Sequence, residues 1–114
     1  MAEDSKPVYL RIREIIAASI LDGVYQDGDL LPSVRALASQ QGANPLTVAK
    51  AYQTFQDDGL VVVKRGVGMF VAHGAARRLR ETERARFLTT VWPPVAEQIR
   101  RLGIRIEDLD TQKV

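Results

Sequence analysis

The sequence predicts a mainly α-helical fold with a small β-hairpin, extended by a short helical tail. Three observations predict it. Apolar residues recur at helical spacing in three successive segments, each closed by a glycine. A β-branched run, Leu60-Val-Val-Val-Lys, then breaks that period and is followed by a turn and a second extended run. Beyond Gly74 the composition shifts to a highly charged helical pattern whose apolar residues gather toward its far end.

The first helix reads from about Pro7 to Leu21. Pro7 suits a first turn, where a missing N–H is no loss. Tyr9, Ile12, Ile16 and Ile20, with Ile15 and Leu21 beside them, form an apolar stripe wide enough to face a core. Gly23 stops this helix, and Tyr25-Gln-Asp-Gly-Asp is a turn cluster. Ser33 is placed to cap a short second helix that carries Val34, Leu37 and Ala38 inward and ends at Gly42. The third start signal is stronger, because Asn44 is a capping residue and Pro45 fits the first helical position. From there Val48, Ala51, Tyr52 and Phe55 make the inward face, and Gly59 terminates the helix.

Leu60 to Lys64 reads as a strand, Arg65-Gly-Val-Gly as a turn, and Met69-Phe-Val-Ala as the returning strand. Three helices followed by a hairpin is the winged helix-turn-helix order. The expected architecture is therefore a winged helix-turn-helix over residues 7–74 and a short helical dimerisation tail over residues 75–114. In the tail, pairs such as Arg77–Glu81 lace a charged helix. Pro93-Pro94 is expected to break or sharply kink it, since two consecutive donors are missing from the ladder.

Composition narrows the chemistry. With 114 residues the chain is one domain's worth of sequence, or a small domain with an appendage. There is no cysteine, which excludes disulfides, thiolate zinc sites and cysteine nucleophiles. A single histidine, His73, leaves no multi-histidine metal site. The apolar runs are too short to span a bilayer, and the acidic start is unlike a secretory signal. These features point to a cytoplasmic protein without cofactor or metal, and not to an enzyme. Net charge is only +2; residues 1–74 carry 7 Lys/Arg against 8 Asp/Glu, and residues 75–114 carry 9 against 6. A nucleic-acid partner must therefore be argued from where the charges sit.

The stretches Gly28-Asp-Leu-Leu-Pro-Ser-Val-Arg-Ala-Leu-Ala, Asn44-Pro-Leu-Thr-Val-Ala-Lys-Ala-Tyr, Gly59-Leu and Arg65-Gly-Val-Gly-Met-Phe-Val occur in fixed order. Together they resemble the DNA-binding domain of the GntR family of bacterial transcription regulators, and its YtrA-like subgroup in particular. The resemblance covers roughly residues 7 to 72. It implies a regulator, most simply a repressor, that binds a palindromic double-stranded operator as a homodimer.

Helix-turn-helix proteins place the N-terminal end of the second motif helix at base edges. Here that end presents Asn44, Leu46, Thr47 and Lys50, with its N-terminal amides adding partial positive charge. The resemblance puts Arg35 on the DNA backbone, with Ser33 beside it, and Lys64, Arg65 and Gly66 of the wing against an adjacent groove or phosphate. Plainer roles stay open for each. Asn44 is a cap or a base contact; Thr47 is a phosphate ligand or a base contact; Lys50 is a DNA contact or a solvated helix residue. Arg35 has Asp57 or Asp58 as alternative partners, and the wing glycines serve the turn, the DNA approach, or both. Many GntR relatives carry arginines where this chain has Pro45 and Ala49, so their operator preference does not transfer.

The tail's surplus apolar residues, Phe87, Leu88, Val91, Trp92, Val95, Ile99 and Leu102, form the expected dimer interface, with Trp92 as anchor. No small-molecule effector is indicated; one would sit between subunits or between tail and domain. The rival readings are a winged-helix protein-interaction module that does not bind DNA, and a small enzyme built on Asp57-Asp58 or Glu107-Asp108. The basic Lys50, Lys64 and Arg65 argue against the first, and the lack of any phosphate loop or pocket signature argues against the second.

Overall fold

The computed structural model describes residues 6–110. Its elements are α1 (Val8–Leu21), α2 (Val34–Gln41), α3 (Pro45–Asp57), β1 (Val61–Lys64), β2 (Gly68–Val71), α4 (Ala75–Arg86), a π-turn (Phe87–Val91), α5 (Trp92–Leu102) and a 3₁₀ turn (Ile106–Leu109). They divide into two compact units, one running to Arg80 and the other starting at Glu81. The acidic start over residues 1–5 and the last four residues of the expected tail lie outside the described residues.

In the first unit the helices form where the apolar period and the caps agree. Ile12, Ile16, Ala17 and Ile20 of α1 are buried, whereas Ile15 falls off the stripe and faces solvent. Ser33 caps α2 by accepting a hydrogen bond from the Ala36 amide at 3.0 Å. Gly42 ends that helix with φ +61, a left-handed conformation that lets the chain turn at once into α3. Asn44 then accepts from the Leu46 amide at 2.8 Å, and Pro45 occupies the first helical position. Val48, Ala51, Tyr52 and Phe55 of α3 are almost wholly buried. Each large side chain of this kind is worth roughly 1.5–3 kcal/mol when removed from water. Ala75 and Leu79, at the start of α4, complete the same core.

Tyr52 also carries a polar function. Its hydroxyl donates to the Pro32 carbonyl at 2.6 Å, tying α3 to the segment that leads into α2. Burial pushes this phenol well above its ordinary pKa, and Tyr25 adds to the rise.

The hairpin pairs antiparallel in the register Val61↔Val71, Val62↔Phe70, Val63↔Met69 and Lys64↔Gly68. Its second strand has a partner on the other side too. Leu30 bridges Phe70, the Leu31 amide donates to the Met69 carbonyl at 2.9 Å, and the Val71 amide donates to the Asp29 carbonyl at 2.9 Å. The wing is thereby laced to the chain just before α2. Gly68 is where the two approach: a Cβ there would lie 2.9 Å from Leu30 Cδ1, on a backbone with φ +147.

In the second unit the Pro93-Pro94 pair does not break the helix. The chain stays helical from α4 through α5, and the irregularity is absorbed as a π-turn directly before the prolines. The Trp92 amide reaches back five residues to the Phe87 carbonyl, which widens the turn where a proline ring would press on an α-helical carbonyl. Thr89 uses its hydroxyl to bond the Ala85 carbonyl at 2.9 Å. Arg86 pairs with Glu83 at 3.7 Å and Arg100 pairs with Glu97, while the Arg77–Glu81 pair does not form. No residue of the π-turn or of α5 is buried.

Among the described residues no helix is long and apolar enough to cross a membrane.

Candidate nucleic-acid interface

The candidate residues fall into two neighbouring sets and two single positions. Leu46, Thr47 and Lys50, successive outward positions of α3, share a hollow of ≈ 340 Å³ with Val8 and Tyr9 of α1. Ser33 shares a second hollow, of ≈ 410 Å³, with Lys64, Arg65 and Gly66 of the wing; Leu30, Val63 and Val67 supply its apolar walls. Arg35 and Asn44 line neither.

Cap geometry decides what the exposed end of α3 offers. Pro45 has no amide hydrogen, Leu46 gives its amide to Asn44 Oδ1, and Thr47 and Val48 give theirs to the Asn44 carbonyl at 2.9 and 3.1 Å. The expected array of free amides is therefore already spent at this end. Asn44 does act as a cap, and its oxygen is engaged. Its amide NH₂ and the second lone pair of Oδ1 remain for a partner, so the cap can stay in place while Asn44 meets a base edge. At α2 the situation is reversed, because the Val34 and Arg35 amides donate to nothing among the described residues.

The cations are held in different ways. Lys50 places its ammonium 4.2 Å from the centre of the Tyr9 ring, and Lys64 lies 4.6 Å from the centre of Phe70. A ring face restricts a long flexible side chain without neutralising it. Arg35 and Arg65 are exposed and have no carboxylate partner among the described residues. The alternative partners of Arg35 are engaged elsewhere: Asp57 accepts from Gln53 at 2.9 Å, and Asp58 faces Arg13 at 3.5 Å. Arg13 also stacks 5.0 Å from the centre of Phe55, a contact that sequence reasoning does not supply. Tyr9 and Phe70 likewise read only as core residues in the sequence. Their second role comes from pairing across elements, for which local spacing carries no signal.

Three helices with an outward third helix, and beside them a wing bearing unneutralised basic groups, define a DNA-binding winged helix-turn-helix. The chain belongs to the family described as bacterial regulatory proteins, gntR family, which matches residues 8–71. It is similar to the HTH-type transcriptional repressor YtrA of Bacillus subtilis (strain 168), with 39% identity over 77 residues. That match covers 68% of this chain and 59% of the repressor, so the chain spans less than two thirds of that relative's length. A GntR family transcriptional regulator from Listeria monocytogenes has a similar structure, with 30% identity and a TM-score of 0.73, covering 97% of each chain. The structure of AraR(DBD) in complex with operator ORX1 matches with 29% identity and a TM-score of 0.59, over 63% of this chain and 87% of that one. This protein is thus a GntR-family DNA-binding transcription regulator, and the family is one of regulators, not of enzymes.

Proposed function

We propose that this protein binds a palindromic operator as a homodimer and represses transcription from it. The observation that carries the DNA side is the set of exposed cations, Arg35, Lys50, Lys64 and Arg65, none of which is neutralised by a carboxylate among the described residues. Leu46 and Thr47 face base edges in the major groove. Arg35, with Ser33 and the free amides at the start of α2, takes backbone phosphate, and the wing's Lys64, Arg65 and Gly66 meet an adjacent groove or phosphate. Asn44 serves first as the cap that holds this end in shape. An interaction module with no DNA partner has no use for cations arranged in this way. Repression is supported by the similarity to a protein named as a repressor.

The homodimer is supported by the second unit. Phe87 and Leu88 are 48% and 50% exposed, Trp92 and Val95 are also exposed, and Val91 and Ile99 are half-buried. An apolar stripe of this kind on a helix gains most by covering itself with a second copy. Pairing two winged helices doubles the contacts and fixes the half-site spacing, which a single domain needs in order to compete with non-specific DNA. Leu102 belongs to the same set and is the most exposed of it. Sedimentation velocity on the Leu88→Ala/Trp92→Ala variant tests this. A monomer with weakened binding to a palindromic site is expected, and an intact dimer would place the interface elsewhere.

A further inference from the structure

We infer that Leu46 reads thymine methyl groups, so that part of this protein's operator is recognised by apolar contact; the inference rests on the DNA-binding reading above. Leu46 is 80% exposed, the most exposed large hydrophobic side chain among the described residues. It is the second residue of α3, at the end a helix-turn-helix directs into the major groove. Its hollow is lined by Val8 and the Tyr9 ring on the apolar side and by Thr47 and Lys50 on the polar side, and the exposed Pro45 and Ala49 of α3 bear no side-chain donor or acceptor.

Of the polar groups nearby, Thr47 and Lys50 serve phosphate or other bases, and none occupies the position of Leu46 itself. Asn44 Oδ1 is held by the Leu46 amide, and the Lys50 ammonium rests over Tyr9 at 4.2 Å. In the major groove every base edge presents donors or acceptors, and the thymine C5-methyl is the one alkyl group that projects into it. Seating Leu46 on a guanine or cytosine edge would strip water from polar atoms and return no hydrogen bond. Seating it on a thymine methyl buries apolar surface on both sides. Leu46 thus presents a surface whose chemistry favours thymine.

The test uses a duplex selected from a randomised pool by the full chain. Each thymine of the selected site is replaced in turn by deoxyuridine, which removes the methyl and nothing else. One or more thymines in each half-site should lose about fourfold in affinity per methyl removed. Leu46→Ala should bind the thymine and uracil duplexes equally. This variant keeps the helix, since the side chain is exposed and alanine is the better helix former; circular dichroism checks that it does. Full affinity for uracil at every thymine overturns the methyl reading and leaves DNA binding standing. So does a uracil penalty that persists in Leu46→Ala. Failure to enrich any duplex from the pool overturns the DNA-binding reading and this inference with it.

Discussion

Replacing Tyr52 by Phe removes one oxygen from the centre of the fold and tests how α3 is anchored. The side chain is 1% exposed and fills the core with its ring, which the variant retains. The loss is the 2.6 Å bond to the Pro32 carbonyl, leaving that acceptor without its partner. A hydrogen bond of this kind, with a part-buried acceptor orphaned, is worth about 1.5 kcal/mol. For a domain of this size that lowers the melting temperature by about 6–12 °C. The phenol adds a pH signature. Its pKa is raised in the folded protein by burial, with Tyr25 contributing, against an unfolded value of about 10. The stability it supplies is therefore complete below about pH 10 and is lost as pH rises above that, by about 1.4 kcal/mol per unit. The Phe variant has no such group. Denaturant titrations of the two proteins should differ by about 1.5 kcal/mol at neutral pH and converge near about pH 11. Equal stability at neutral pH, or a gap that does not change with alkalinity, would refute the assignment of the hydroxyl.

Asn44→Ala should cost about 1 kcal/mol in the absence of DNA, measured by thermal unfolding, because the Leu46 amide loses its acceptor. Unchanged stability with collapsed operator discrimination would make Asn44 a base contact instead. Lys64→Ala/Arg65→Ala should reduce the slope of log affinity against log salt by about 3–4 in a dimer, at about 0.9 for each phosphate no longer neutralised. A slope equal to that of the wild type would remove the wing from the interface.

How much of this was readable from the residues depends on range. The caps at Ser33 and Asn44, the stops at Gly42 and Gly59 and the inward face of α3 are local features. Spacing and residue chemistry report them directly, and the structure realises each. The bridge from Leu30 to Phe70 involves a single residue, too short to show a strand period, so the sequence marks only the turn cluster over residues 25–29. Tyr52 reads as core because its ring follows the stripe, whereas the partner of its hydroxyl lies 20 residues away. The cation–π seats of Lys50 and Lys64 join different elements and have no sequence spacing to betray them. At Pro93-Pro94 the missing donors are visible in the sequence. Widening the preceding turn is a response of the whole helix, and of the expected break or sharp kink the chain shows no break.

Four consecutive residues before α2 bear more than their number suggests. Leu30 and Leu31 hold the wing's second strand, Pro32 holds α3 through Tyr52, and Ser33 starts α2. Every part that would touch DNA is therefore fastened to one short peptide. Helix and wing have little freedom to shift against each other, and a half-site is met by a single rigid stamp. In the proposed dimer the operator is met by two such stamps, one to each half-site.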